Sequence, residues 1–529
     1  MLTPLPDSQW NRDTAAHLLR RAGFGSNPEQ LDSWSKLKLG DAVDRLVDWQ
    51  QVPDPTPNPD WAKPDPTLES KREELRMMSE EDRKKAVQMI GRSQREHVEK
   101  LRLWWLTRMF ETTRPLQEKM TLFWHGHFAT SVEKVKDAYF MWKQNDLFRQ
   151  LGNGNFEELL VEGGREPAML IWLDGGSSNL RAPNENYARE VMELFTLGEG
   201  HYTEDDIKNA AKAFTGWVVE REKQASEFRP QRFSNEPKTF KGQTGDFNDK
   251  DIVHLILQDP NCAPYLAKKL WTFFAYENPE PELVGALAGR FRDAKYEIKP
   301  LLRTLFLSEE FYSQKSIRNQ IKSPVQWLVG CCKSLNLDRI PWLAPNAIRL
   351  LGQDLFAPPS VKGWDGGRNW ISTATLLQRC NIARFMIYGG NPASMGILPP
   401  NLAKAEEKGK IEIPPGQQPA QPGQPAQPGQ NQPPPMDEKM ERKQEILQRL
   451  ARVNIPPMVQ VQSLVPPDAL SDNKKLIAAL SQRLYQSPLN PQLEKACEDY
   501  LGGDAKPVSN EKIQGLLYLM MTRPEFQLG

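Results

Sequence analysis

Cysteine is scarce and poorly spaced for cross-linking. Cys262, Cys331, Cys332, Cys380 and Cys497 are an odd number in 529 residues and contain no C-x-x-C pair, so neither a disulfide framework nor a zinc knuckle is implied. Cys331 and Cys332 share a helical pattern in which adjacent side chains diverge, and both read as small buried residues. Long apolar runs are missing too: none approaches the roughly 18 residues a membrane span requires. No charge of one sign prevails. Lys plus Arg and Asp plus Glu number 68 each, so no global field draws nucleic acid or an anionic membrane. The opening Met1 to Asp7 has neither the basic nor the apolar region of a secretion signal, and no apolar segment follows Arg20-Arg21 to make a twin-arginine signal. A cytoplasmic location is the expectation. The Gly-rich turn Asp174 to Asn179 has no strand before it and no Lys-Ser/Thr after it, which removes the P-loop.

What is present is helical periodicity. Pro is frequent at 44, but much of the excess lies in one tract between Lys404 and Met436, whose Pro, Gly and Gln cannot bury enough apolar surface to fold. Residues 403–438 therefore read as a disordered linker. It separates a main helical domain, 1–402, from C-terminal helices, 439–529, that are expected to pack back on it. Apolar residues elsewhere recur at helical spacing, as Leu266, Leu270, Phe273 and Phe274 do, with Lys268 and Lys269 on the outer side. Short β-prone pieces such as Lys238 to Phe240 are the exception. The expected fold class is all-α: a multi-helix globular bundle with long ordered loops and at most a small β-hairpin.

The stretch from Asn184 to Trp217 concentrates the functional signal. Tyr187, Val191, Leu194 and Phe195 fall at i, i+4, i+7 and i+8 and make one apolar stripe. Asn184 is placed to cap this helix, and Gly198 and Gly200 to end it. Asn186, Glu190 and Glu193 gather on the flank of the stripe at about 100° per residue. Two carboxylates at i and i+3 repel, and a place beside a core strips part of their water, so a cation or a shared proton must offset the cost. A salt bridge to Arg189, Lys208 or an Arg elsewhere in the fold would do so, and so would a metal or an acid/base site.

Upstream lies His125-Gly126-His127. Two histidines at i and i+2 face one metal on a strand but point roughly 200° apart on a helix, so chelation requires Gly126 to break the helix. Imidazole together with the acidic pair would suit a divalent ion such as Zn, Mn or Fe. The plainer reading is a pair of hydrogen-bonded core histidines beside Trp124 and Phe128. Downstream, Ala357 to Trp370 is too rich in Pro and Gly for helix or strand, and forms an ordered loop presenting Lys362, Trp364, Asp365 and Trp370. Indole beside polar groups suits stacking on a sugar ring or another flat ligand, or else seals the helical core.

The same segments carry a resemblance. Asn184 to Gly198, Tyr202-Thr203-Glu204, Ala213 to Trp217, His17 to Gly25, Phe123 to Ser131, Lys269-Leu270-Trp271 and Leu351 to Trp370 closely resemble motifs of the bacterial family called domain of unknown function 1800. The resemblance spans nearly the whole chain apart from the linker, and it implies a fold and candidate positions rather than a reaction. The chain departs from it at Phe233, Ser234 and Glu236, where many members carry a His-Asp pair and a Gly, and at Gln326 and Lys333, where an acid and an Arg are common. Genes of that family commonly lie beside those of a sulfatase-like family, domain of unknown function 1501, whose members often carry export signals. This implies an alternative in which the protein is a non-catalytic assembly partner, exported with a sulfatase-like protein. A helical scaffold without ligand is a further alternative. The main expectation is a metal-assisted hydrolase acting on a glycan-like or ester substrate. In it Glu190 and Glu193 are catalytic, Asn186, Arg189, Lys362, Trp364 and Asp365 bind substrate, and His125 and His127 hold the metal.

Overall fold

The computed structural model describes residues 2–391, 457–502 and 508–529. These are α-helical apart from two small antiparallel hairpins, so the fold class is the one expected. The linker at 403–438, and the start of the 439–529 segment up to residue 456, lie outside the described residues. Strand β1 (Trp217–Glu220) pairs with β2 (Ala225–Phe228), Trp217 opposite Phe228, and β3 (Lys238–Phe240) pairs with β4 (Gln243–Gly245). Among the described residues no helix is long and apolar enough to cross a membrane.

The molecule is built around one short helix. After the long helix α1 (Glu80–Glu111), Pro115 starts α2 (Pro115–His127) at the position where a missing N–H costs nothing. All of α2 except Gly126 is buried, and a helix enclosed on every side must serve two packing surfaces at once. Leu116, Met120, Phe123 and Trp124 join a core that runs from Leu5 to Tyr312. Leu122, on the other face, joins a second core. The fully buried Trp124 stacks on Phe128 and Phe156, and losing such a ring costs roughly 3–5 kcal/mol.

The second core draws on the C-terminal half of α1, α3 (Ala138–Leu151), α6 (Pro324–Ser334) and α7 (Thr373–Tyr388). It is completed by Leu476, Ile477 and Leu480 of α8 (Asn473–Leu484) and by Leu516, Leu517 and Met520 of α9 (Asn510–Met521). Cys331 and Cys332 of α6 are fully buried there. The last helices therefore share a hydrophobic core with residues near the middle of the chain.

Glu118 pins three helices together. Its Oε1 accepts from Nε of Arg108 on α1 at 2.6 Å and Nε of Arg149 on α3 at 2.7 Å, while its Oε2 accepts from Arg149 Nη2 at 3.0 Å and Trp105 Nε1 at 2.8 Å. Burial alone would raise this carboxyl, but Arg149 and Arg108 outweigh it and hold the group below its ordinary range.

Candidate functional site

A cleft of about 490 Å³ opens between α2, the helix α5 (Cys262–Phe274) and the loop that ends at Trp370. Its size falls in the range of small-ligand sites. Phe123, Tyr265, Phe273, Trp364 and Trp370 supply aromatic wall, and His127, Lys269, Lys362, Glu277 and Asp365 supply charge or hydrogen bonding. The loop reaches α2 through two glycines. Gly363 has φ +81° and sits so close to the carbonyl of Gly126 that a Cβ would overlap it, so only glycine fits. The indole of Trp364 then lies over Gly126 and 5.6 Å from the His125 ring.

The two histidines do not share a metal, which corrects that expectation. Gly126 leaves α2 unbroken, so the side chains diverge as helix geometry requires. His125 turns into the second core, where Nε2 accepts the backbone N–H of Phe356 at 3.0 Å beside Trp105, and burial lowers the imidazole to about 3. His127 turns to the cleft. The ring nitrogen Nε2 donates to the carbonyl of Phe195 at 3.1 Å, which fixes the tautomer because a carbonyl can only accept. The lone pair of Nδ1 is left buried and without a partner. Burial, then the charge of Lys269, keep His127 neutral to well below the ordinary histidine range. Among the described residues no group of three or more His, Cys, Asp or Glu side chains is placed to hold a metal ion. The donors therefore do not fit a resident Zn, Mn or Fe.

The acidic helix differs from a plain α-helix. Helix α4 (Glu185–Glu190), capped by Asn184 as expected, continues as one wide π turn, Val191–Thr196, with Leu197 N–H bonding Met192 O at 2.7 Å. Gly198, at φ +84°, ends it. The carbonyls of Leu194 and Phe195 then have no helical N–H ahead of them, and side chains use them instead. Phe195 O holds His127, while Leu194 O accepts Tyr265 Oη at 2.7 Å and, at 3.4 Å, Lys269 Nζ. This helix shapes the cleft through its main chain.

Its carboxylates stand beside the cleft, outside the lining. Glu193 accepts from Tyr202 Oη, and Arg189 makes a two-pronged pair with Glu204 at 2.9 and 3.0 Å rather than with Glu190. Glu190 is raised by partial burial and by Glu193, against Arg189 and Lys362. Asn186 is exposed. Of the expected binding residues, the cleft brings together Lys362, Trp364 and Asp365, and leaves Asn186 and Arg189 outside.

Lys269 corrects the sequence reading that set it with Lys268 in solvent. Lys268 is exposed, but Lys269 is half-buried, and burial alone lowers its amine to about 8. The missed signal was a stripe: Tyr265, Lys269 and Phe273 fall at i, i+4 and i+8 on one face of α5.

Fold and cleft together define an all-α protein with an aromatic-walled cleft. The chain belongs to the family described as protein of unknown function DUF1800, which it matches over residues 17–528. Neither a curated protein nor a solved structure matches it.

Proposed function

We propose that this protein is a hydrolase that holds a glycan-like or ester substrate against Trp364 and Trp370 and activates water with His127. One observation carries the reading. His127 borders the cleft with its tautomer set by Phe195 and its Nδ1 acceptor unmet, and an unmet buried acceptor calls for a donor such as water or a substrate hydroxyl. The imidazole is neutral at physiological pH, which leaves the Nδ1 lone pair free to accept. The indoles offer flat apolar surface and Asp365 a nearby acceptor, which suits a ring bearing hydroxyls.

Purified full-length protein assayed with p-nitrophenyl esters and p-nitrophenyl glycosides tests this. His127→Gln is expected to lower kcat by about 100-fold or more, and Trp364→Ala to raise KM chiefly. An inactive wild-type protein, or a His127→Gln variant of unchanged rate, overturns the reading. An assembly role beside a sulfatase-like protein draws support from another feature. Met77 and Met89, on Leu68–Met77 and the start of α1, are 87% and 72% exposed. Inactivity together with co-purification of such a partner would favour that role.

A further inference from the structure

The electrostatics of the cleft discriminate between its two substrate classes, on the premise that hydrolysis occurs there. Cleaving a glycosidic bond gathers positive charge on the sugar, which enzymes meet with two carboxyl groups about 5–10 Å apart flanking the bond. Attack on an ester gathers negative charge on the carbonyl oxygen, which donors and cations stabilise.

Lys269 and His127 line the same cleft, and the Lys269 charge adds to burial in lowering the imidazole. The Nζ of Lys269 makes only a long contact with Leu194 O, 3.4 Å, and lies 5.2 Å from the centre of the Tyr265 ring, so most of its donor capacity is unspent. The two acids of the lining are both exposed, and neither is among the groups that act on the His127 imidazole: Asp365 accepts from Asn369 at 3.3 Å, and Glu277 lies against Gly367. A cation set beside the base would oppose a sugar cation and favour an oxyanion.

We propose that the bond cleaved is a carboxylic ester, with the ammonium of Lys269 holding the carbonyl oxygen as it becomes an oxyanion. Water adds to the carbonyl carbon as Nδ1 of His127 takes its proton. The tetrahedral intermediate collapses, the bond from carbon to the alcohol oxygen breaks, and the imidazolium returns its proton to that oxygen. The products are an alcohol and a carboxylic acid, which ionises in solvent. Trp364 and Trp370 stack the ring of whichever half carries one.

Lys269 must be charged for this role, and its amine loses its proton near 8. The charged and titratable groups that line the cleft with it are His127 from α2, Tyr265 and Lys268 on its own helix, Glu277 just beyond that helix, and Lys362 and Asp365 on the loop; the Leu194 carbonyl and the Tyr265 ring contact its ammonium. Glu193 acts on the same corner through Tyr265.

The test uses the full chain, p-nitrophenyl acetate and p-nitrophenyl glucoside, and rate profiles from neutral to alkaline pH for wild type, Lys269→Met and Lys269→Arg. Ester turnover is expected, with an alkaline fall near pH 8. Lys269→Met is expected to lower kcat by about 100-fold, and Lys269→Arg to keep part of the rate while moving the alkaline fall upward, because guanidinium stays charged. Glycoside turnover without ester turnover overturns the ester assignment and leaves hydrolysis at the cleft standing. Ester turnover that ignores Lys269→Met in a folded variant also overturns it. Failure of both substrates overturns the hydrolase reading itself.

Discussion

A single buried carboxyl shows how strongly packing governs chemistry in this protein. Glu166 is 9% exposed, its Oε2 has no partner, and Lys143 stands 3.8 Å from its Oε1. Burial pushes it up to about 7 against the pull of Lys143, with Glu162 and Asp146 adding to the rise. A carboxyl raised above its ordinary 4.5 binds its proton better in the folded state, so its contribution to stability is full below pH 4.5 and is lost as pH rises through 7. Glu166→Gln should match wild type in acid and be about 3 kcal/mol more stable at pH 8, read by urea unfolding. Equal stabilities at pH 8 would contradict this. Residue identity alone did not reveal such groups. Lys269 reads as an outer-side charge in the sequence, and the groups that meet it, the Leu194 carbonyl and His127, come from segments far away in the chain.

At the scale of elements, helix positions were legible and helix geometry was not. The stripe Tyr187, Val191, Leu194 and Phe195, the Asn184 cap and the Gly198 stop all stand where the pattern put them. The change from a four-residue to a five-residue hydrogen bond after Glu190 has no signature in apolar spacing, because one wide turn shifts the stripe by less than a residue. That turn frees the carbonyls that hold His127, Tyr265 and Lys269. The His125-Gly126-His127 motif rested on one local question, whether glycine breaks α2, and tertiary packing answered it. A Cβ at Gly126 would meet only Trp364 at ordinary contact distance, so the helix runs through it unbroken, and the position that must be glycine is 363, on the loop.

Helix α2 also owes its place to charge. Glu118 answers two arginines and an indole N–H in a fully buried setting, and removing one partner of such a group strands the others. Glu118→Gln is expected to destabilise the fold by roughly 3–5 kcal/mol, visible as a lower urea midpoint. A change within about 0.5 kcal/mol would show that the three helices are held by packing alone.

Across the whole molecule, buried neutral histidines set the acid response. His125 is held near 3, and His17 and His127 are likewise lowered, by burial first in each case. A lowered histidine contributes stability above its unfolded value of 6.5, and that stability is lost as pH falls toward the folded value. For His125 the loss amounts to about 2 kcal/mol by pH 5. In His125→Asn the difference in unfolding free energy between pH 7 and pH 5 should shrink by about that amount, whatever the variant costs at pH 7. An unchanged difference would mean that the ring takes up its proton while folded.

By itself the sequence determined the helical class, the ends of the acidic helix and the loop of tryptophans, because capping, apolar period and Pro/Gly density act over a few neighbouring residues. Only the tertiary structure decided which side chains share the cleft. His127 on α2, Lys269 on α5 and Trp364 on the loop meet there because two cores pull the faces of α2 apart, and the free energy that does so belongs to contacts between segments hundreds of residues distant.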